Sequence, residues 1–191
     1  IKIDINAWQK LLRLNLGEEL SMDVFCKSDV GWTNYKTIKQ KIAKDKIDSY
    51  LTYRLINSAY VLWFEMGLYQ RNLENFNESR IIENKSLGGA CVNCHSMSKN
   101  NPDMFMFHIR SKHSGTVIYN NGILEKVETK TDQTLASAAY GAWHPNGRHI
   151  AFSVNKINQN FHIFKDQSNE VSDKYSDLIV YDSETKMVTT S

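Results

Sequence analysis

The sequence predicts a mainly β fold with short helices, of the α+β class. Apolar and polar residues alternate from Leu20 to Cys26, which is the period of a half-buried strand. The dipeptide Asn121-Gly122 separates two strand-like runs, as in a tight hairpin turn. We expect three successive regions, one β-rich, one short with a helical centre and one of antiparallel strands, at residues 1–80, 81–115 and 116–191.

Composition and charge argue against several classes of protein. Of the 191 residues, 41% are hydrophobic, enough for one domain or two small ones. The 23 Lys+Arg and 21 Asp+Glu nearly cancel at +2, so we expect no nucleic-acid partner. The longest apolar run, Ala59 to Phe64, is far shorter than the roughly 20 residues that cross a bilayer, so we expect no transmembrane segment in this chain. The chain opens at Ile1 without a basic and apolar leader, and we expect a mature or trimmed form.

Caps and alternation predict the N-terminal elements. A short helix is expected from about Ala7, with Asn6 as its N-cap and Gly17 ending it. The strand that follows turns Cys26 towards a core, as a small apolar residue. Five lysines between residues 36 and 46 interleave with isoleucines, which indicates a solvated strand. A docking patch for an acidic partner is the alternative.

An aromatic-rich stretch follows between residues 50 and 69. Clusters of this kind usually form plain core, and they also form the walls of planar cofactor sites. Both interpretations stay open for its six aromatic residues, Tyr50, Tyr53, Tyr60, Trp63, Phe64 and Tyr69.

Beyond Gly115, turn residues recur between strand-like runs. Asn121-Gly122 is typical of a type I′ turn, and further turns are expected at Pro145-Asn146-Gly147 and at Asp182-Ser183-Glu184. The C-terminal third is therefore predicted to be antiparallel β.

The strongest functional signal is the segment Cys91-Val-Asn-Cys94-His95. Cys-x-x-Cys-His is the attachment signature of a c-type haem. On one helical turn both sulfurs face the same side, where each adds to a vinyl group of the porphyrin, and the imidazole reaches the iron from that face. The motif predicts one covalent haem c, with Cys91 and Cys94 as the thioether positions and His95 as the proximal iron ligand.

Two other interpretations of the cysteine pair have less support. A structural zinc site needs four ligands, and the only other thiol is Cys26, about 65 residues away. A thioredoxin-like dithiol needs a βαβ pattern around the pair, which the flanking sequence lacks.

The second axial ligand of the iron has several candidates shortly after the motif. Met106 and His108 are the leading ones, and they share a face with Met104 if the run is a strand. Met97 lies too close to His95 to reach the opposite side of the ring. A sulfur ligand would raise the reduction potential relative to a second imidazole.

Three stretches resemble a group of bacterial envelope proteins in which a single c-type haem motif precedes a TolB-like β-propeller: CVNCHSMSKNNPDMFMFHIR, GTVIYNNGILEKVETKTDQTLASAAYGAWHPNGRHIAFSVNK and SDLIVYDSETKMVTT. The stretch YRLINSAYVLWFEMGLYQRNLENFNES and the strand-rich segment before it also resemble the N-terminal part of that family, so the resemblance covers nearly the whole chain. Its most specific elements are the haem motif, Phe107-His108-x-Arg110 and Trp143-His144-Pro145-x-Gly147. It implies a C-terminal region like the start of a propeller.

Two features depart from that family pattern. His144 and Asn146 stand where TolB-type repeats have serine and aspartate, and we expect His144 to be bonded locally within its turn. Residues 116–191 supply little more than one blade, whereas a propeller needs at least about four. We therefore expect the chain to be a fragment of a longer protein.

These features predict a c-type cytochrome module that transfers single electrons, with a redox partner protein or another envelope protein as its partner. Covalent haem attachment takes place outside the cytoplasm, so we expect a bacterial periplasmic or envelope location. One alternative is a propeller-type interaction module whose haem, or a zinc ion, is structural. A peroxidase-like enzyme with an open iron site is a further alternative, less favoured than a carrier or binding protein.

Overall fold

The structure is a computed structural model, and it describes residues 3–56, 64–111, 113–160, 166 and 170–190. This part of the chain is mostly β, with one α-helix and several small antiparallel sheets. None of its helices has the length and apolar character needed to cross a membrane. The chain divides into two compact units, one formed by Ile1–Leu51 with Asn72–Asn77 and the other by Thr52–Arg71 with Glu78–Ser191.

The first unit contains one helix and two β ribbons. Helix α1 spans Ile5–Leu14. Four short strands follow it, β1 (Glu19–Met22), β2 (Phe25–Ser28), β3 (Gly31–Asn34) and β4 (Ile38–Lys41). Because β1 pairs with β4 and β2 with β3, the ribbons are the outer and inner parts of one interrupted hairpin. None of this unit's described residues is buried.

The helix predicted near Ala7 is confirmed, but its cap is Asp4 rather than Asn6. Asp4 Oδ1 accepts a hydrogen bond from the Ala7 amide at 2.8 Å, which satisfies one of the free donors of the first turn. The prediction that Cys26 faces a core is wrong. Its thiol is exposed, because β2 and β3 form a ribbon whose residues are exposed on both faces.

The described part of the second unit contains three sheets. The first of them also includes Tyr50, Leu51 and Asn72, which the division assigns to the first unit. The first sheet has the order β5-β6-β7, with β5 at Tyr50–Leu55, β6 at Gly67–Asn72 and β7 at Glu78–Glu83. The second is the meander β8 (Val92–Ser98), β9 (Asn101–Ile109), β10 (Gly115–Asn120) and β11 (Ile123–Val127). The third is the meander β12 (Ala139–Trp143), β13 (His149–Asn160), β14 (Glu170–Asp182) and β15 (Met187–Thr190).

The second sheet is the middle layer of this unit, with an apolar cluster on each face. One cluster joins Met106 and Ile118 to Phe152 and other residues of the third sheet. The other joins Phe107 and Ile109 to Leu68 of the first sheet. Strand β9 supplies both clusters because successive side chains of a strand point to opposite faces.

Two tight turns of the same kind shape the middle sheet. Asn121 and Gly122 have φ of 47° and 89°, so the predicted type I′ turn between β10 and β11 is confirmed. Lys99 and Asn100, with φ of 50° and 58°, form the corresponding turn between β8 and β9. Because the second turn contains no glycine, it was not predicted from the sequence.

The predicted fold class is wrong at the segment around the cysteines, which is not helical. A short 3-10 helix at Asn84–Leu87 ends at Gly88, whose φ of 65° turns the chain out of the helix. The chain then enters β8, whose backbone pairs with β9 from Val92↔Ile109 onwards. The hydrogen-bonding groups that a helix would use within the segment are therefore taken by a neighbouring strand.

The prediction of a propeller-like C-terminal region is also wrong. Strands β12 to β15 make a single four-stranded sheet, while β10 and β11 join the sheet of β8 and β9 instead of opening a further blade. Across the residues described, no sheet closes into a barrel or a propeller. The three-region division at 1–80, 81–115 and 116–191 stays a prediction.

Candidate functional site around the Cys-x-x-Cys-His motif

A β-bulge sets the geometry of the motif. Pairing between β8 and β9 is regular at Asn93↔His108 and resumes at Ser96↔Met106. Cys94 and His95 therefore lie together opposite the single residue Phe107. Cys94 has φ 54°, in the left-handed region that residues with a side chain seldom adopt. The bulge takes these two residues out of the regular alternation of the strand.

Cys91 lies immediately before the strand and is only 4% exposed. The Nη2 atom of Arg54 lies 3.4 Å from its Sγ and 3.0 Å from the Sδ of Met66. Burial raises the pKa of the Cys91 thiol, and the positive charges of Arg54 and Arg110 oppose that change without cancelling it. The thiol is thus protonated at neutral pH, unlike the thiolates of reactive dithiol centres.

His95 is half-buried, and its imidazole faces the first sheet of the unit. Its Nε2 lies 3.4 Å from the carbonyl oxygen of Thr52. A contact of this kind at Nε2 orients the imidazole and leaves Nδ1 as the nitrogen available to a metal. Thr52 is therefore a positioning residue for His95.

Two guanidinium groups beside Cys91 carry buried nitrogens that lack a partner. Among the described residues, no hydrogen-bond acceptor reaches Arg54 Nε or Arg110 Nη2. The Arg110 guanidinium also lies 5.9 Å from the ring centre of Tyr140, and its backbone amide donates to the Cys91 carbonyl at 2.8 Å. Leaving a buried charged donor unpaired is costly, so each group marks a place where an acceptor from outside the chain would be stabilised.

Met106 and His108 lie on the face of β9 opposite Phe107, as a strand requires, and each has another partner. Met106 is fully buried, and a Cβ added at Gly141 would come within 2.8 Å of its Sδ. His108 Nδ1 lies 3.2 Å from the Thr116 hydroxyl. Burial, with a smaller effect of the Arg110 charge, lowers the pKa of His108 to about 4, so the imidazole is neutral at pH 7. Their role as distal ligands stays a prediction.

Four residues of the aromatic stretch are described by the structure, Tyr50, Tyr53, Phe64 and Tyr69. The Tyr53 and Tyr69 rings stack with centroids 6.3 Å apart. Phe64 lies against Gly89, two residues before Cys91, where an added Cβ would be 3.3 Å from its Cε1. Tyr60 and Trp63 lie outside the described residues. The cofactor wall stays a prediction.

The sequence did not point to Thr52 or Arg54 as parts of this site, whereas Arg110 belongs to the element Phe107-His108-x-Arg110 that the sequence singled out. Arg110 follows His108 by two positions, so it lies on the same face of an extended chain. Thr52 and Arg54 come from about 40 residues upstream and reach the motif only through sheet packing.

The donor set fits a haem c better than a metal ion bound by the protein alone. Across the described part of the chain, no three His, Cys, Asp or Glu side chains converge as the ligands of an ion would. A haem c does not require that convergence, since its sulfurs bind the porphyrin and only the imidazole binds iron. Two free thiols and an imidazole, the groups that a haem c uses, are present in the motif.

Comparison with known proteins found no matching family model and no matching curated protein. The interpretation of the site therefore rests on the motif and on the geometry around it.

Proposed function

We propose that the chain is a c-type cytochrome module that binds one haem covalently and transfers single electrons. Cys91 and Cys94 hold the porphyrin through thioether bonds, and His95 binds the iron. The observation that carries the proposal is the Cys91-x-x-Cys94-His95 spacing, with Cys94 and His95 brought side by side by the bulge in β8. When bound, the haem supplies a one-electron Fe(III)/Fe(II) couple.

The chemistry of the two thiols supports attachment. Each thiol adds its sulfur and its hydrogen across one vinyl C=C bond, so that a C–S and a C–H bond form and there is no net oxidation. Both cysteines are free thiols, as this addition requires. The raised pKa of Cys91 keeps that sulfur protonated and disfavours a competing role as a redox dithiol.

The burial of Cys91 implies an order of events. With 4% of its surface exposed and Arg54 against its sulfur, Cys91 is inaccessible to a porphyrin once this part of the chain has packed. Attachment therefore precedes final packing of β8 against the first sheet.

Since covalent haem attachment takes place outside the cytoplasm, we place the protein in the bacterial periplasm or envelope, with a redox protein as its partner.

The test is the intact mass of the chain produced with haem maturation machinery. We expect one haem added to the polypeptide mass, and the loss of that increment in the double variant Cys91→Ala, Cys94→Ala. Cys26→Ala is the matched control, because Cys26 is an exposed thiol outside the motif, and it should keep the haem. A colourless product with both motif thiols open to alkylation would sink the proposal.

A redox titration separates an electron carrier from a protein whose haem is only structural. We expect reversible reduction and reoxidation with a single midpoint. A six-coordinate, low-spin spectrum in both oxidation states would argue against a peroxidase-like enzyme, which needs an open iron position. A haem that cannot be cycled would contradict electron transfer while leaving attachment intact.

A further inference from the structure

A cavity of about 340 Å³ opens on the second unit, beyond the end of β9. Its polar lining includes Arg110 and Lys156, the hydroxyl groups of Ser111, Ser114 and Ser137, and the imidazole of His108. The cavity is large enough for a small molecule.

The charge of this lining favours an anion. Arg110 and Lys156 are both cationic, and the described residues that line the cavity include no carboxylate. The Nη2 atom of Arg110 is buried and lacks an acceptor among the described residues. A guanidinium group can offer N–H donors to a carboxylate or phosphate group.

Two acidic residues lie near the cavity but are bonded elsewhere. Glu128 Oε1 accepts from the Ser137 hydroxyl at 3.3 Å and from the Lys130 amide at 3.1 Å. Asp173 accepts from the Asn155 side chain at 2.9 Å. Within the described part of the chain, neither carboxylate forms a hydrogen bond or an ion pair with Arg110 or Lys156, so both cations remain able to bind a ligand.

We propose that this cavity binds a small molecule through an oxyanion, a phosphate or a carboxylate group, with Arg110 and Lys156 as its charged partners. Serine hydroxyls complete the set of donors. The proposal is independent of the haem, since it requires neither Cys91 nor an iron ligand role for His108.

The test is isothermal titration calorimetry of the full chain with inorganic phosphate and, separately, with succinate. We expect saturable binding of at least one of them. Arg110→Gln and Lys156→Gln should each weaken it roughly tenfold or more, the usual effect of removing a charge-assisted hydrogen bond. Lys85→Gln, on the exposed 3-10 helix of the same unit and not part of the cavity lining, is the matched control and should leave the affinity unchanged.

Folding and binding can be told apart in this design. Lys156 is exposed, so Lys156→Gln should keep the thermal midpoint of the parent chain. Arg110→Lys keeps the charge and should bind better than Arg110→Gln. The comparison of phosphate with succinate identifies the preferred oxyanion. Binding of neither anion, or equal losses in Lys156→Gln and Lys85→Gln, would overturn the proposal.

Discussion

The backbone of Cys94 is the least favourable single feature of the site. A residue with a Cβ at φ 54° costs about 1–2 kcal/mol relative to an ordinary conformation. Glycine would avoid that cost, but the chain has cysteine there. A functional role of the thiol explains why this strained position has a cysteine rather than a glycine.

We predict that Cys94→Gly raises the free energy of unfolding of the haem-free chain by about 1 kcal/mol, because glycine adopts the left-handed region without strain. Cys94→Ala keeps the Cβ and should give no such gain. Urea unfolding of the three proteins measures the difference. Equal stabilities of the glycine and alanine variants would show that the bulge is unstrained.

Asp182 is the carboxylate with the clearest electrostatic role in the fold. Arg148 donates from Nε to its Oδ1 at 2.8 Å and from Nη2 to its Oδ2 at 2.5 Å. These bonds, with backbone donors from Glu184 and Thr185, hold the pKa of Asp182 well below its ordinary value of 3.8. A lowered pKa means that the folded state favours the ionised form. The resulting stability is present above the ordinary value and is lost as the pH falls towards the folded-state value.

We predict that Asp182→Asn lowers the unfolding free energy at pH 7 and flattens its pH dependence below the ordinary Asp182 pKa of 3.8. Urea titrations at pH 7 and at several acidic pH values measure both effects. Asp132→Asn removes an exposed carboxylate from the same unit and is the control. An acid limb as steep in Asp182→Asn as in the parent chain would contradict the assignment.

At the scale of single residues, the sequence predicted what depends on spacing and missed what depends on contact. Cys91, Cys94 and His95 stand out because their spacing is a chemical signature. Arg54 is invisible to the same reasoning, since its contact with Cys91 joins strands 37 residues apart in sequence. His144 was predicted correctly as a turn residue bonded locally, and its Nδ1 accepts from the Asn146 amide at 3.1 Å.

Among the elements, the strand β8 shows how a bulge misleads sequence reading. The positions 91, 94 and 95 have helical spacing, so a helix was the natural expectation. In the structure these residues lie in and just before an extended strand, where a bulge adds one residue at Cys94 and His95 and shifts the alternation. Local pattern cannot separate the two cases. The partner strand β9 decides between them.

The turn between β10 and β11 gives a test at this scale. A Cβ at Gly122 would meet no atom within 4 Å, so only its φ of 89° opposes a side chain. We predict that Gly122→Ala lowers the unfolding free energy by about 1 kcal/mol, whereas Gly122→Asn costs less, because asparagine tolerates this region. Thermal or urea unfolding checks the order. An alanine variant as stable as the asparagine variant would contradict it.

For the whole molecule, the two units differ in how much apolar surface they bury. The first unit has no buried residue in its described part, whereas both apolar clusters belong to the second. Assigning strands to sheets required contacts between distant residues. The sequence therefore predicted the C-terminal hairpins and missed the middle layer that β8 to β11 form, and the propeller expectation failed for the same reason.

We predict that backbone amides in the β1–β4 ribbon exchange with solvent at least about a hundredfold faster than those in the β13–β14 pair, after correction for intrinsic rates. The ribbon opens locally, because few buried contacts hold it, while β13 and β14 open only with the core around Phe152. Hydrogen–deuterium exchange measured by mass spectrometry resolves the two segments. Equal protection would mean that the first unit is stabilised by burial that its described residues do not show.

The alternation along β9 also fixes the alignment of the middle sheet. A slip of one residue would exchange Met106 and His108 with Phe107 and Ile109, and would drive an imidazole into the all-apolar cluster around Leu68. Each face of the middle sheet therefore disfavours misalignments that the other face alone would allow. The nine residues of β9 thus determine the register of both neighbouring strands, β8 and β10.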